Sequence, residues 1–210
     1  MSHSFEELTL SLAEIGRNFY TRGWVLGTSG NFSATVSRDP LHLAITPSGV
    51  DKGQLTAEQI LLIDDRSNVL SSNSGKPSDE TPLHIRIALE RSAGSVLHTH
   101  SIWSTILSDI YAAEGGLAIE GYEMLKGLEG IETHEHNAWL PIIENSQDMI
   151  ALSQNVSALL KDNQDTHGFL LRRHGLYTWG KSTAQARRHV EILEFLLEAI
   201  GRTRLGSRPI

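Results

Sequence analysis

The chain has 210 residues, no cysteine, and a formal charge of −7 with its ten histidines counted as neutral. Disulfides and thiolate metal sites are thereby excluded, and an acidic balance is the opposite of a nucleic-acid footprint. With 40% hydrophobic and 20% charged residues, and no apolar run near the roughly 18 residues of a membrane span, the composition fits one globular domain over residues 1–210 with neither nucleic acid nor membrane as partner.

The opening Met1-Ser2-His3-Ser4-Phe5-Glu6-Glu7 has neither the basic nor the apolar region of a secretory signal, so a cytoplasmic protein is expected. Leu8, Leu12, Ile15 and Phe19 recur at helical spacing and predict an amphipathic helix from residue 5 to about 22, ended by Gly23. Gly27-Thr28-Ser29-Gly30-Asn31-Phe32-Ser33 follows. Two glycines around small hydroxyl residues can turn successive backbone N–H groups toward an anion. A tight connection into the next strand is the simpler reading of the same residues.

Residues 32–36 and 41–45 predict two strands joined around Arg38-Asp39-Pro40. Thr46-Pro47-Ser48-Gly49 makes a turn in which Ser48 and the Gly49 amide offer a second place for phosphate oxygens. Thr56-Ala57-Glu58-Gln59 has capping-box spacing, residues 60–63 predict a short strand, and 64–75 a polar hairpin or loop. Lys76-Pro77-Ser78-Asp79-Glu80-Thr81-Pro82 then precedes a helix to about residue 91, with Leu83, Ile87 and Leu89 as its apolar members. Ser78 or Asp79 is expected to cap that helix and Pro82 to sit in its first turn. An anion at the helix N-terminus accounts for these residues as well.

Ser95-Val96-Leu97-His98-Thr99-His100 brings an apolar strand to two histidines spaced i, i+2. Alternate strand residues share a face, so both imidazoles can reach one metal ion. Residues 101 to about 111 predict a helix. Residues 119–130 hold Glu123 and Lys126 in a glycine-bounded segment, 139–143 a buried strand, and 148–160 a helix with Ile150, Leu152, Val156 and Leu159 inward. Residues 168–171 and 176–179 flank Arg172-Arg173-His174-Gly175, which puts His174 at a hairpin end. A long helix from 183 to about 202 buries Ala186, Val190, Leu193, Leu197 and Ile200, and the tail 203–210 is too polar to predict as ordered. Helices at both ends and in the middle, with seven to nine short strands between, predict an α/β chain whose sheet is antiparallel or mixed.

His3 and His167 stand in polar contexts and are expected at the surface, while His42, His84 and His189 are expected to be surface or satisfied core residues. His134-Glu135-His136 repeats the pair's spacing in a polar stretch, which suits an active-site rim or a subunit contact. His98 and His100 leave a rigid strand instead, and His174 is the best third ligand. Three neutral imidazoles and an open position suit Zn2+, though other divalent first-row metals bind similar sites. Glu80 and Glu123 are the candidate carboxylates for moving a proton beside the metal.

In order, Gly30-Asn31-Phe32-Ser33, Thr46-Pro47-Ser48-Gly49, Pro77-Ser78-Asp79-Glu80, His98-Thr99-His100 and Arg173-His174-Gly175 resemble the class II aldolase/adducin family from about residue 5 to 200. The resemblance implies a three-layer α/β/α fold with a mostly antiparallel, mixed sheet, and a homotetramer with active sites at subunit interfaces. It implies one Zn2+ per subunit on His98, His100 and His174, and a sugar phosphate held at Ser29, Gly30, Asn31, Ser48, Gly49 and Ser78.

Glu123-Met124-Leu125-Lys126-Gly127 and residues 76–82, 139–145 and 171–180 are closer to the family's dehydratase branch. That likeness implies Glu123 as acid/base, whereas in the aldolases the role falls at the position of Glu80. Both are present, so the assignment stays open. Asp79 stands where aldolases place a phosphate-binding serine, which counts against a plain aldolase. The implied reaction takes the C3 proton from a 2-ketose 1-phosphate through a metal-stabilised enediolate, loses the C4 hydroxyl as water and leaves a 2,3-diketone. Lys126 would meet the phosphate or developing charge, or remain a surface lysine. The alternatives are a ketose-phosphate aldolase or 4-epimerase using the same metal, and a non-catalytic adducin-like assembly module that need not keep the three histidines.

Overall fold

The computed structural model describes residues 4–72 and 75–206. It opens with helix α1 (Phe5–Thr21), whose start is fixed by a reciprocal cap: Glu7 N–H donates to Ser4 Oγ, and Ser4 N–H to Glu7 Oε2. The hairpin β1 (Asn31–Arg38) and β2 (Leu41–Ile45) turns through a cis Asp39–Pro40 bond, and β3 (Leu61–Asp64) follows. Then come α2 (Thr81–Glu90), β4 (Ser95–Thr99), α3 (Ile102–Ile110), β5 (Gly116–Ile119) and β6 (Ala138–Ile143). The chain continues with α4 (Met149–Asp162), β7 (Gly168–Leu171), β8 (Gly175–Gly180) and α5 (Thr183–Gly206).

Eight strands form one sheet in the order β3-β2-β1-β4-β8-β7-β6-β5. Every neighbouring pair is antiparallel except β6 with β7. The two faces are read off β4. Val96 packs with Leu83 and Ile87 of α2 and Val156 and Leu160 of α4. Leu97, one residue on, packs with Leu12 and Phe19 of α1 and Val190 of α5. Below these, α3 and α5 cover Leu170 and Leu176. The result is helix–sheet–helix layering, with α2 and α4 on one side and α1, α3 and α5 on the other. Each fully buried Leu or Phe in these layers contributes on the order of 2 kcal/mol.

Several expectations need correction. Neither Ser78 nor Asp79 caps α2; Glu80 occupies that position without a side-chain cap bond, Ser78 Oγ accepts the Glu80 N–H, and Asp79 pairs with Lys76. Ile150, expected inward, is 74% exposed, and Leu89, an apolar member of α2, is 53% exposed. In α2 the core takes Ile85 and Ala88 instead, because that helix packs on the sheet and on α4 together. Trp139 is 40% exposed, although its strand is buried farther along. The capping-box spacing at 56–59, by contrast, is borne out: the box forms around a single 3-10 turn, with Thr56 N–H held by Gln59 Oε1. Strand β5, absent from the sequence expectation, pairs with β6. His167 is half-buried, donating from Nε2 to Glu129 O and packing edge-on against His189. Helix α5 continues through residue 206, past the expected end near 202, whereas His3 and residues 73–74 and 207–210 lie outside the described residues.

Candidate metal centre

Strand β4 ends at Thr99, so His98 lies in the sheet and His100 just beyond it. β8 runs antiparallel beside β4 with His98 opposite Tyr177 and Thr99 opposite Leu176, which brings the β7–β8 turn and its His174 to the same end. That turn is tight because Arg173 sits at φ +56° and Gly175 lies against the β4 backbone, where a Cβ would collide with Thr99 O. Helix α3 holds it from the other side: Arg173 N–H donates to Ser108 Oγ, and Thr105 Oγ1 donates to His174 O.

The three Nε2 atoms converge. His98 to His100 is 2.8 Å, His100 to His174 is 3.1 Å and His98 to His174 is 3.3 Å. Glu80 Oε1 stands 3.2 Å from His174 Nε2 and 3.7 Å from His98 Nε2. His98 Nδ1–H donates to Leu176 O at 3.0 Å, which leaves its Nε2 lone pair facing the others. Burial first, and then the neighbouring imidazoles, pushes His98 well below its ordinary value and His100 down to about 3. His174 is lowered by burial, with the Glu80 carboxylate opposing. Neutral imidazoles with lone pairs this close repel one another unless a cation stands between them. Glu80, His98, His100 and His174 form the one such group among the described residues, a donor set that fits a divalent metal.

Glu80 is held from behind. Asn31 Nδ2 donates to Glu80 Oε2 at 2.6 Å. Asn31 Oδ1 accepts from His84 Nε2, and His84 Nδ1 accepts from the Ser33 hydroxyl at 2.8 Å. Burial drives His84 down to about 3, so it is a neutral spacer. Tyr177 stacks flat on His98 at 3.9 Å, and burial with Glu80 nearby pushes its hydroxyl well above the ordinary value.

Beside the histidines lies a cavity of about 110 Å³ lined by both glycine loops. Ser29, Gly30, Asn31, Ser48, Gly49 and Ser78 all border it, together with Glu80 and His100. Gly30 is required there: its φ is +70°, and a Cβ would meet His98 O at 2.7 Å. Ser48 N–H is already given to Lys76 O, so the Ser48 hydroxyl is the donor that residue can offer.

The structure gathers six loop residues and Glu80 with the three histidines, but not Glu123 or Lys126. Glu123 is 72% exposed, bound to Lys126 Nζ at 2.7 Å and near His134 Nδ1 at 3.7 Å. His136 borders a separate cleft with His167 and His189, so the second His-x-His pair joins neither the cluster nor the cavity. Sequence reasoning missed Lys52, buried in the cavity wall, Tyr177 under His98, and Glu194, buried against Thr99. Only Lys52 carried a local signal, as a lysine three residues past Gly49.

The model of the Class II Aldolase and Adducin N-terminal domain matches residues 10–200. Methylthioribulose-1-phosphate dehydratase of Marinobacter nauticus is 42% identical over 189 residues, covering 90% of this chain and 89% of its own. The crystal structure of YgbL from Klebsiella pneumoniae aligns with a TM-score of 0.80 at 24% identity, over 99% of this chain and 94% of that one. L-Fuculose-1-phosphate aldolase of Thermus thermophilus aligns with a TM-score of 0.74 at 21% identity, over 96% and 97%. At those identities the two solved structures speak for the fold.

Proposed function

The chain belongs to the class II aldolase and adducin N-terminal domain family, and from that premise we propose that it is a lyase dehydrating 5-methylthioribulose 1-phosphate. The products are 2,3-diketo-5-methylthiopentyl 1-phosphate and water, a step of methionine salvage. The observation that carries this reading is one of geometry. The Glu80–His98–His100–His174 cluster and the glycine-loop cavity share His100 and Glu80, so a phosphate and a ketone on one short molecule can be held together. The choice of this ketose phosphate among others leans on the Marinobacter relative.

His98, His100 and His174 would hold one Zn2+ per subunit, with Glu80 able to take a fourth position. An ion there would supply Lewis acidity at the substrate's carbonyl end, without which a carboxylate at neutral pH is far too weak a base for a carbon acid. Ser29, Gly30, Asn31, Ser48, Gly49 and Ser78 fix the phosphate and so aim C2 and C3 at the histidines. Glu123 takes the C3 proton and gives it to the departing C4 hydroxyl, which leaves as water, and the remaining enol tautomerises to the 2,3-diketone. Its exposed position fits a homotetramer in which the face carrying Glu123 meets an active site. We place the protein in the cytoplasm.

A second reading keeps the same histidines but makes Glu80 the acid/base, giving a ketose-phosphate aldolase or 4-epimerase. Its support is that Glu80 already touches the cluster. Purified, metal-loaded protein given methylthioribulose 1-phosphate separates the two. Diketone release supports the dehydratase; no diketone, with cleavage or epimerisation of another ketose phosphate, replaces it. Absence of bound metal and of any turnover would favour the non-catalytic assembly module.

A further inference from the structure

We propose that Lys52 is the cation that receives the substrate's phosphate, and that its ammonium, not that of Lys126, sets affinity for the phosphorylated end. This inference rests on the ketose-phosphate reading above.

Lys52 is 1% exposed, among the largest fully buried side chains of the protein. A lysine is seldom buried to that degree without a carboxylate partner. Among the described residues none lies within ion-pair distance of its Nζ. Asp51, the adjacent acid, turns its carboxylate to the Gly53 N–H at 2.8 Å. Nζ donates instead to two carbonyls, Val50 O at 2.9 Å and Thr28 O at 3.2 Å. An ammonium has three donors, so one N–H remains beyond those two bonds.

The two carbonyls belong to the two glycine loops. Thr28 precedes Ser29 and Gly30, and Val50 follows Ser48 and Gly49, so Lys52 stands at the point where both loops face the same cavity. At about 110 Å³, that cavity is well below the roughly 300 Å³ at which whole-ligand pockets begin. It has room for one compact group. Its polar lining is donor-rich: Gly49 N–H finds no acceptor among the described residues, and the Ser48 hydroxyl is exposed beside it. Both oxygens of Glu80, the carboxylate in the lining, are committed, Oε2 to Asn31 and Oε1 toward His174. A dianion is therefore drawn to the Lys52 side and repelled from the Glu80 side. That polarity points the ketone of a bound sugar phosphate toward the histidines.

Burial also pushes Lys52 down to about 8, a fall that the neighbouring Asp51 carboxylate opposes without cancelling. Lys126, by contrast, is exposed and bound to Glu123. A bond to a charged partner is worth enough that its loss should weaken phosphate binding by roughly 10- to 100-fold.

The test uses full-length, metal-loaded protein and inorganic phosphate as the probe. Lys52→Met should raise the inhibition constant for phosphate by that factor and raise KM for the ketose phosphate similarly, with kcat and metal content much less affected. Lys52→Arg should recover part of the affinity, which a pure loop-clamping role would not require, and Lys126→Met should leave phosphate affinity unchanged. In wild-type protein, phosphate should shift the Lys52 side-chain resonances in lysine-labelled NMR spectra and leave those of Lys126 in place. Unchanged phosphate affinity in Lys52→Met, or an unmoved Lys52 resonance under saturating phosphate should that variant not fold, overturns the assignment. Because inorganic phosphate is indifferent to the sugar, phosphate binding at Lys52 without diketone formation would refute the dehydratase reading while sparing this one.

Discussion

Thr99 donates its hydroxyl to Glu194 Oε1 across 2.5 Å, inside the layer between β4 and α5. The residue between two of the convergent histidines is thus pinned by an acid that is 2% exposed. Burial outweighs the hydrogen bonds from Ser101 and Thr99 and pushes Glu194 up to about 7. Since the folded value lies above the unfolded one, the fold keeps Glu194 protonated where the unfolded chain is already ionised. The stability this group contributes is therefore fully present below about pH 4.5 and is lost as pH rises through about 7. Glu194→Gln should make the unfolding free energy between pH 5 and 8 less pH-dependent by about 2 kcal/mol. Denaturant titrations as steep in pH for the variant as for wild type would refute the shift.

Truncating one histidine of the cluster should empty it. His98→Ala or His174→Ala should reduce metal, measured by inductively coupled plasma mass spectrometry, from about one per subunit to under about a tenth, because two remaining imidazoles and a carboxylate bind far more weakly. Circular dichroism should stay native-like. Full occupancy in His98→Ala would remove that residue from the ligand set, and the metal recovered from wild type identifies the ion.

The two carboxylates should part company on substitution. Glu123→Gln is expected to lower kcat by about 10³-fold with metal retained, in the range of a lost acid/base group. Glu80→Gln should lose turnover together with metal affinity, because Glu80 stands against the histidine nitrogens. If Glu80→Gln keeps its metal and suffers the larger fall in kcat, the proton passes through Glu80.

Gly175→Ala tests the closeness of β4 and β8. Its methyl group would overlap Thr99 O and approach His98 Cε1 to 3.2 Å. Spreading the strands to admit it should cost about 2 kcal/mol or more and should weaken metal binding with it. A variant as stable as wild type, with metal affinity intact, would show that the strand pair can relax without moving His174.

The legible part of the site was the part written in local periodicity. His98 and His100 share a face because alternate residues of an extended strand must, and the structure places both imidazoles together. His174 followed from a turn between two apolar runs, and that turn does meet the end of β4. Serine and glycine around residues 29–30 and 48–49 marked the loops that border the cavity. Ile150 was misjudged for the reverse reason: helical spacing finds an apolar stripe, but which edge of it is covered depends on the neighbouring layer.

By itself, then, the sequence determined most of the elements, the antiparallel or mixed sheet and the three histidines, because strand alternation, helical period and turn chemistry act over a few residues, while the family rested on the resemblance of five ordered motifs. Tertiary structure alone decided the rest. Asn31, His84 and Glu80 became one hydrogen-bonded chain when β1 and α2 packed together. Tyr177 came under His98 through the β4–β8 register. Lys52 lost its water to the meeting of two loops, while Lys126 kept its own and its Glu123 partner. Burial sets a charge's partners and its pKa, and burial is a property of segments far apart in the chain, which no spacing along it records.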